Sequence, residues 1–186
     1  MADADIRMKQ SRNARGFTMI ELLAVIAILG ILSTMAAPSF RSFIVSQRIK
    51  SASFDIMSSL IMARSEAIKR NALVDIVPKA HPVTGVVSWS SGWDIVSPSG
   101  SSTILQSKSA LQGVSDTGLT VTCYYGTTAG ACQTITYNGN GRLNLTGNAP
   151  SIQIVASDAS TATGFGTRCI YLDLSGRPSS KKANCP

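Results

Sequence analysis

The chain has 186 residues and a formal net charge of +7, with sparse aromatics and ten carboxylates against seventeen Lys and Arg. That length holds one modest domain beside any membrane or leader segment, and scattered Asp and Glu leave little for paired-carboxylate catalysis or a calcium cage. Residues 1–16 carry four basic and two acidic side chains, so the remainder keeps about +5, a mild excess that favours acidic surfaces or nucleic acid without establishing either.

The basic residues Arg7, Lys9, Arg12 and Arg15 precede Gly16-Phe17-Thr18-Met19-Ile20-Glu21. From Leu22 to Leu32 every residue except Gly30 is apolar, and Glu21 is the single formal charge between Phe17 and Ala37. That span approaches the ~20 residues a helix needs to cross a bilayer, and the basic flank predicts a cytoplasmic N-terminus. A carboxylate inside such a run costs free energy and calls for a compensating charge. An ordinary secretory signal, cut near Thr34-Met35-Ala36 or Ala36-Ala37, would share the basic flank and apolar run. Glu21 within the run and Pro38 directly after the cut argue against it. An uncut membrane anchor is the other plain alternative.

Gly30 and Pro38 are expected to weaken or kink the helix. Beyond Pro38 the pattern becomes amphipathic. Ile49, Ile56, Leu60, Ala63 and Ala67 recur at helical spacing, Met57, Ile61 and Ile68 widen the stripe, and charged residues are interspersed. Lys69 and Arg70 suit a helix C-terminus, and Asn71 reads as its end. From Ala72 the period shortens. Ala72 to Val77, Val86 to Trp89, Trp93 to Val96, Thr103 to Gln106, Leu119 to Tyr124, Thr134 to Tyr137, Ile152 to Val155 and Cys169 to Leu174 are the predicted strands. Asn138-Gly139 and Asn140-Gly141 have tight-turn chemistry, and no helix follows Gly141 to make a phosphate cradle.

Cys123, Cys132, Cys169 and Cys185 allow three pairings. Their short separations favour Cys123 with Cys132 and Cys169 with Cys185. Zinc fits poorly, because no Cys-x-x-Cys pair occurs and His81, the sole histidine, is distant in sequence. His81 lies in a Pro-flanked stretch expected to be exposed, and no Ser-His-acid arrangement forms around it. The sequence therefore predicts no enzyme, metal or cofactor.

The Gly16 to Glu21 hexapeptide and the run behind it resemble the processing site of type IV pilins and the pseudopilins of type II secretion. The resemblance implies cleavage by a prepilin peptidase after Gly16, N-methylation of Phe17, and pairing of Glu21 with the N-terminal amine of a neighbouring subunit. It also implies a helix that bends near Pro38 when packed in a filament. Ala63 to Asn71, Trp89-Ser90-Ser91-Gly92-Trp93, Tyr137 to Leu143 and Ser175-Gly176-Arg177 resemble the C-terminal domain of the FimT, FimU and GspH minor pilins and pseudopilins.

The implied architecture is α+β, with a long N-terminal helix packed on an antiparallel β-sheet head. Residues 1–16 form a leader, 17–37 a transmembrane and filament-core helix, 38–71 its amphipathic continuation, and 72–186 a β-rich head with disulfides. The implied function is a minor pilin that helps initiate or cap a type IV pilus, with a role in twitching motility. Its partners would be other minor pilins, the major pilin, the prepilin peptidase and the inner membrane. The head would be periplasmic before assembly and extracellular, at the pilus tip, after it. A GspH-like pseudopilin of type II secretion is one alternative. The other is DNA uptake in natural transformation, since some FimT-type pilins bind DNA through a C-terminal Gly-Arg-x-Arg. Here Gly176-Arg177-Pro178-Ser179 lacks the second arginine. Arg168, Arg177, Lys181 and Lys182 are the candidate phosphate contacts, confined together if Cys169 and Cys185 are bonded.

Overall fold

The computed structural model describes residues 16–100, 103–111, 119–145, 147–156 and 166–185, with side chains at 35–39 and 41–42 outside that description. The leader apart from Gly16 and the side chain of Pro38 therefore lie outside the described residues. The chain divides into two compact units, Met1–Phe40 and Arg41–Pro186.

In the first unit the backbone enters helix α1, Met19–Arg70, a helix of 52 residues that extends into the second unit. Its start is set by Thr18. The Thr18 hydroxyl accepts from the Glu21 amide at 3.3 Å, and the Glu21 carboxylate accepts from the Thr18 amide at 3.3 Å. This reciprocal capping box satisfies two amides that a helix N-terminus leaves without partners. The helix is unbroken through Gly30 and Pro38. Among the described residues no helix is long and apolar enough to cross a membrane. Described side chains in this half stop at Thr34, short of the ~20 residues a crossing requires.

In the second unit Val45, Ile49, Ala52, Ile56, Leu60, Ala63 and Ala67 are buried, a stripe at three- and four-residue spacing. Ile61 and Ile68, expected to widen it, are instead 54% and 51% exposed. They fall to the side of a stripe already filled by Leu60, Ala63 and Ala67, so the sheets do not reach them. The helix ends in a Schellman motif. The amide of Ala72 donates to Ala67 O and that of Asn71 to Ile68 O, with Asn71 in the left-handed region at φ 47°.

Two antiparallel sheets complete this unit. The first runs β3-β2-β1-β6, from Ile104–Lys108, Trp93–Val96, Val74–Pro78 and Ile135–Tyr137. The second runs β5-β4-β7-β8-β9, from Thr128–Gly130, Leu119–Tyr125, Pro150–Ala156, Thr167–Leu172 and Pro178–Lys181. Strands at Val74–Pro78, Trp93–Val96, Leu119–Tyr125 and Pro150–Ala156 lie where hydrophobic patterning predicts them. The strand expected over Val86 to Trp89 does not form. Val87 makes only an isolated bridge to Ala80, and Trp89–Ser91 is a 3-10 turn capped by Ser88, whose hydroxyl accepts from the Ser90 amide. That turn carries Trp89 into the core beside Trp93, with ring centroids 5.5 Å apart.

The core gathers the helix stripe, Val74, Ile76, Ile95, Ile135 and Tyr137 from the first sheet, and Val121, Ile152, Ile154, Ile170 and Leu172 from the second. Asp75 is buried at the centre of β1, and its carboxylate accepts from Ser99 Oγ, the Gly100 amide and Thr136 Oγ1 at 2.7–2.9 Å. Buried charge persists when hydrogen bonds of this kind satisfy it.

Candidate functional site

Gly16, Phe17 and Glu21 lie together at the helix entrance. A Cβ built on Gly16 would meet nothing within 4 Å, and Phe17 is 83% exposed. The segment around the predicted scissile bond is thus open to a peptidase. Glu21 is exposed, and Thr18 supplies both groups with which it hydrogen-bonds. Thr18 is a functional residue that sequence reasoning missed. The signal was present, since Thr18-Met19-Ile20-Glu21 has the Thr-x-x-Glu spacing of a capping box. The apolar residues from Ile20 to Leu32 are exposed.

The cysteines are bonded as Cys123 with Cys132, S–S 2.03 Å, and Cys169 with Cys185. The second bond folds the tail back over the sheet, where the Cys185 amide donates to Gln153 Oε1 at 2.9 Å and the Tyr171 hydroxyl donates to Asn184 O at 3.3 Å.

The basic residues of this region do not gather into one row. Cys169 pairs with Lys181 across β8 and β9, so Lys181 stands on the Cys169 face, with its Nζ 5.6 Å from the Tyr171 ring centroid. Arg168 is one residue earlier in β8 and points to the opposite face, as strand alternation requires. There it pairs in register with buried Ile154 and its Nη1 donates to Ser180 Oγ at 3.3 Å, and Ser180 Oγ in turn lies 3.1 Å from Ser53 Oγ of α1. Arg177 lies in the β8–β9 turn, at the other end of β9 from Lys181, while Lys182 follows that strand in the exposed tail. The disulfide confines the tail, yet the pleat separates the charges.

A tighter assembly forms where the motif segments of the sequence meet. The turn at 138–142 is closed by Asn138, whose Oδ1 accepts from the Asn140 and Arg142 amides at 3.1 and 3.0 Å. Gly141, at φ 72°, lies under the end of α1. A Cβ there would strike Ile68 Cδ1 at 2.6 Å, and Arg64 Nε donates to Gly141 O at 2.9 Å. The turn at 173–177 stacks onto it, because a Cβ on Gly176, at φ 80°, would collide with Gly141 O and with Tyr137. Within that turn Asp173 accepts from Ser175 Oγ at 2.6 Å and from the Arg177 amide at 2.8 Å. These bonds, the Ser175 hydroxyl foremost, hold its carboxyl below the usual range. Tyr137 lies at the centre of the stack. Burial pushes its phenol well above 10, and its hydroxyl has no hydrogen-bond partner.

His81 is half-buried rather than exposed, and its Nδ1 accepts from the Val83 and Thr84 amides at 3.3 and 3.2 Å, a local turn with no acid beside it. Among the described residues no group of three or more His, Cys, Asp or Glu gathers to hold a metal.

The family model for type II transport protein GspH matches residues 52–176, and that for the prokaryotic N-terminal methylation motif matches residues 11–37. No curated protein matches the sequence. Among solved structures, the type IV minor pilin FimU of Pseudomonas aeruginosa in space group P21 is similar, with TM-score 0.57 and 22% identity over 75% of this chain and 93% of that one. The same pilin in space group P65 gives 0.52 and 22% over 74% and 96%. At that identity the likeness bears on the fold, an α+β helix-on-sheet arrangement shared with FimU.

Proposed function

We propose, from the premise that this chain belongs to the type II transport protein GspH family and carries the N-terminal methylation motif, that it is a minor pilin helping to initiate or cap a type IV pilus. The family and fold are those of pilin-type structural proteins, and the methylation motif implies a membrane-anchored precursor, a prepilin peptidase and other pilins as partners. The observation that carries the finer reading is the pairing of an open Gly16-Phe17 segment and Glu21 with a FimU-like head. On this reading the peptidase cuts after Gly16 and the freed Phe17 amine is methylated. Glu21 then exchanges its bonds to Thr18 for the amine of a neighbouring subunit. Phe17 to Ala37 spans the inner membrane before assembly and joins the filament core afterwards, with Pro38 where the helix leaves that core. The head is periplasmic and then sits at the pilus tip.

A second reading, a minor pseudopilin of type II secretion, is favoured by the name of the family model itself. Deletion of the gene separates them. Loss of surface pili and twitching with normal protein secretion supports the pilus reading, and lost secretion with intact pili overturns it in favour of the second. DNA uptake draws less support, because Arg168 and Lys181 stand on opposite faces of the hairpin and the second arginine of the motif is absent.

A further inference from the structure

The stack of turns at the C-terminal end of α1 leaves an unusual set of side chains in solvent. Arg142 projects from one turn and Arg177 from the other, and both are exposed. Neither has a carboxylate within ion-pair distance among the described residues. Around them Ile68 is 51% exposed and Leu174 59% exposed. Their backbones are fixed, since Gly141 and Gly176 abut each other and Arg64 ties Gly141 to the helix. Two arginines on interlocked turns, with two branched aliphatic side chains beside them, form a pre-organised surface. Presenting it requires little ordering on binding.

The charge on this surface calls for carboxylates, and a second copy of the chain has none to spare among its described residues beyond Arg41. Asp55 is paired with Lys108, Asp94 with Lys79, and Glu66 with Lys69 and Arg70. Asp75 is buried under three donors, and Asp173 is occupied by Ser175 and the Arg177 amide. A self-contact would therefore set the arginines against engaged acids. A nucleic-acid backbone would satisfy the guanidiniums but offer Ile68 and Leu174 no apolar surface to bury. Arginines beside apolar anchors match the composition of protein interfaces.

Resting on the minor-pilin reading above, we infer that the Ile68, Leu174, Arg142 and Arg177 surface docks a different pilin-like subunit through an acidic patch with an apolar centre. Guanidiniums grip its carboxylates in bidentate pairs, and the aliphatic side chains fill the space between. The contact is heterotypic, so it fixes which subunit follows this one rather than extending a run of identical copies.

The test uses the full-length chain made in its own cells, with a photo-crosslinking residue at Ile68 or Leu174 and, as a control, at Phe54, which is 72% exposed on the same helix. The expected result is an adduct from the first two positions to another chain bearing an N-terminal methylation motif. Its yield falls about tenfold in an Arg142→Glu, Arg177→Glu variant, as when an interfacial charge is set against a like charge. Processing after Gly16 and the melting temperature of that variant stay unchanged. An adduct to the chain itself, to nucleic acid or to a protein without the motif overturns the inference, as does no adduct or a yield indifferent to charge reversal. Lost piliation on gene deletion combined with any of these outcomes rejects the docking surface and keeps the minor-pilin reading. Intact piliation and intact secretion on deletion reject that reading regardless of the adduct.

Discussion

Gly176 shows how much one missing side chain can decide. Its φ of 80° lies where L side chains are strained, and a Cβ would be driven into Gly141 O and the Tyr137 ring. The obstacle is backbone on one side and a buried ring on the other, so neither can swing away. Gly176→Ala should cost about 2–3 kcal/mol of head stability, read as a lowered midpoint in urea unfolding of residues 41–186, which contain all the buried hydrophobic core. A midpoint unchanged within error would show that the two turns are not interlocked. The sequence displays Ser175-Gly176-Arg177 as a short, separate motif. That it touches Tyr137 and Gly141 depends on contacts across more than thirty positions of chain, which no local pattern encodes. Thr18 is the opposite case, because its bond to Glu21 is three residues long and is written in their spacing.

At the scale of the element, helix α1 was the most legible part of the chain, because its signals are local. Apolar spacing marks the stripe from Ile49 to Ala67, and Asn71 marks the end. What spacing could not supply was the stripe's width, which depends on how far the sheets extend and which leaves Ile61 and Ile68 outside. The last turn adds an acid-sensitive feature. Arg70 Nε donates to Glu66 Oε2 at 2.6 Å and Lys69 stands nearby, and the bond to Arg70, ahead of the other contacts, holds the Glu66 carboxyl below its usual 4.5. A carboxyl lowered by folding stabilises the native state above its unfolded value, and that stabilisation is lost as pH falls through its folded value. Melting the head between pH 6 and pH 3 should show a small acid-side loss that Glu66→Gln removes and that high salt shrinks. An identical acid limb in the variant would assign the loss elsewhere.

At the scale of the whole molecule, the β-rich head was legible as a class, while its division into two sheets was not. The strands β5 and β9 were missed because Thr128–Gly130 and Pro178–Lys181 are short, polar edge segments that bury little. Sequence patterning detects a strand through its buried face, and these have almost none. The same weakness explains the candidate phosphate contacts. Proximity in sequence suggested one basic cluster, but alternation along β8 and the pairing with β9 turn Arg168 and Lys181 to different faces. Separation of the cysteines did indicate the pairs, since short loops close readily. Changing Cys169 and Cys185 together to Ser should lower head stability by about 3 kcal/mol and open the tail to proteolysis near Lys181 and Lys182, detected by mass spectrometry. A tail that resists cleavage as before would mean that Gln153 and Tyr171 hold it unaided.

That closed tail also bears on how the head carries load. An edge strand at a chain end is the easiest piece of a sheet to remove by force, because a pull on the end unzips its hydrogen bonds one after another. Here the end of the chain is bonded to the neighbouring strand at Cys169, opposite the last residue of β9. A pull on the tail reaches that covalent bond and passes into β8, in the interior of the sheet, before it can act on β9. To leave the sheet, β9 must break its bonds together. The seam most exposed to unzipping is thereby loaded in shear.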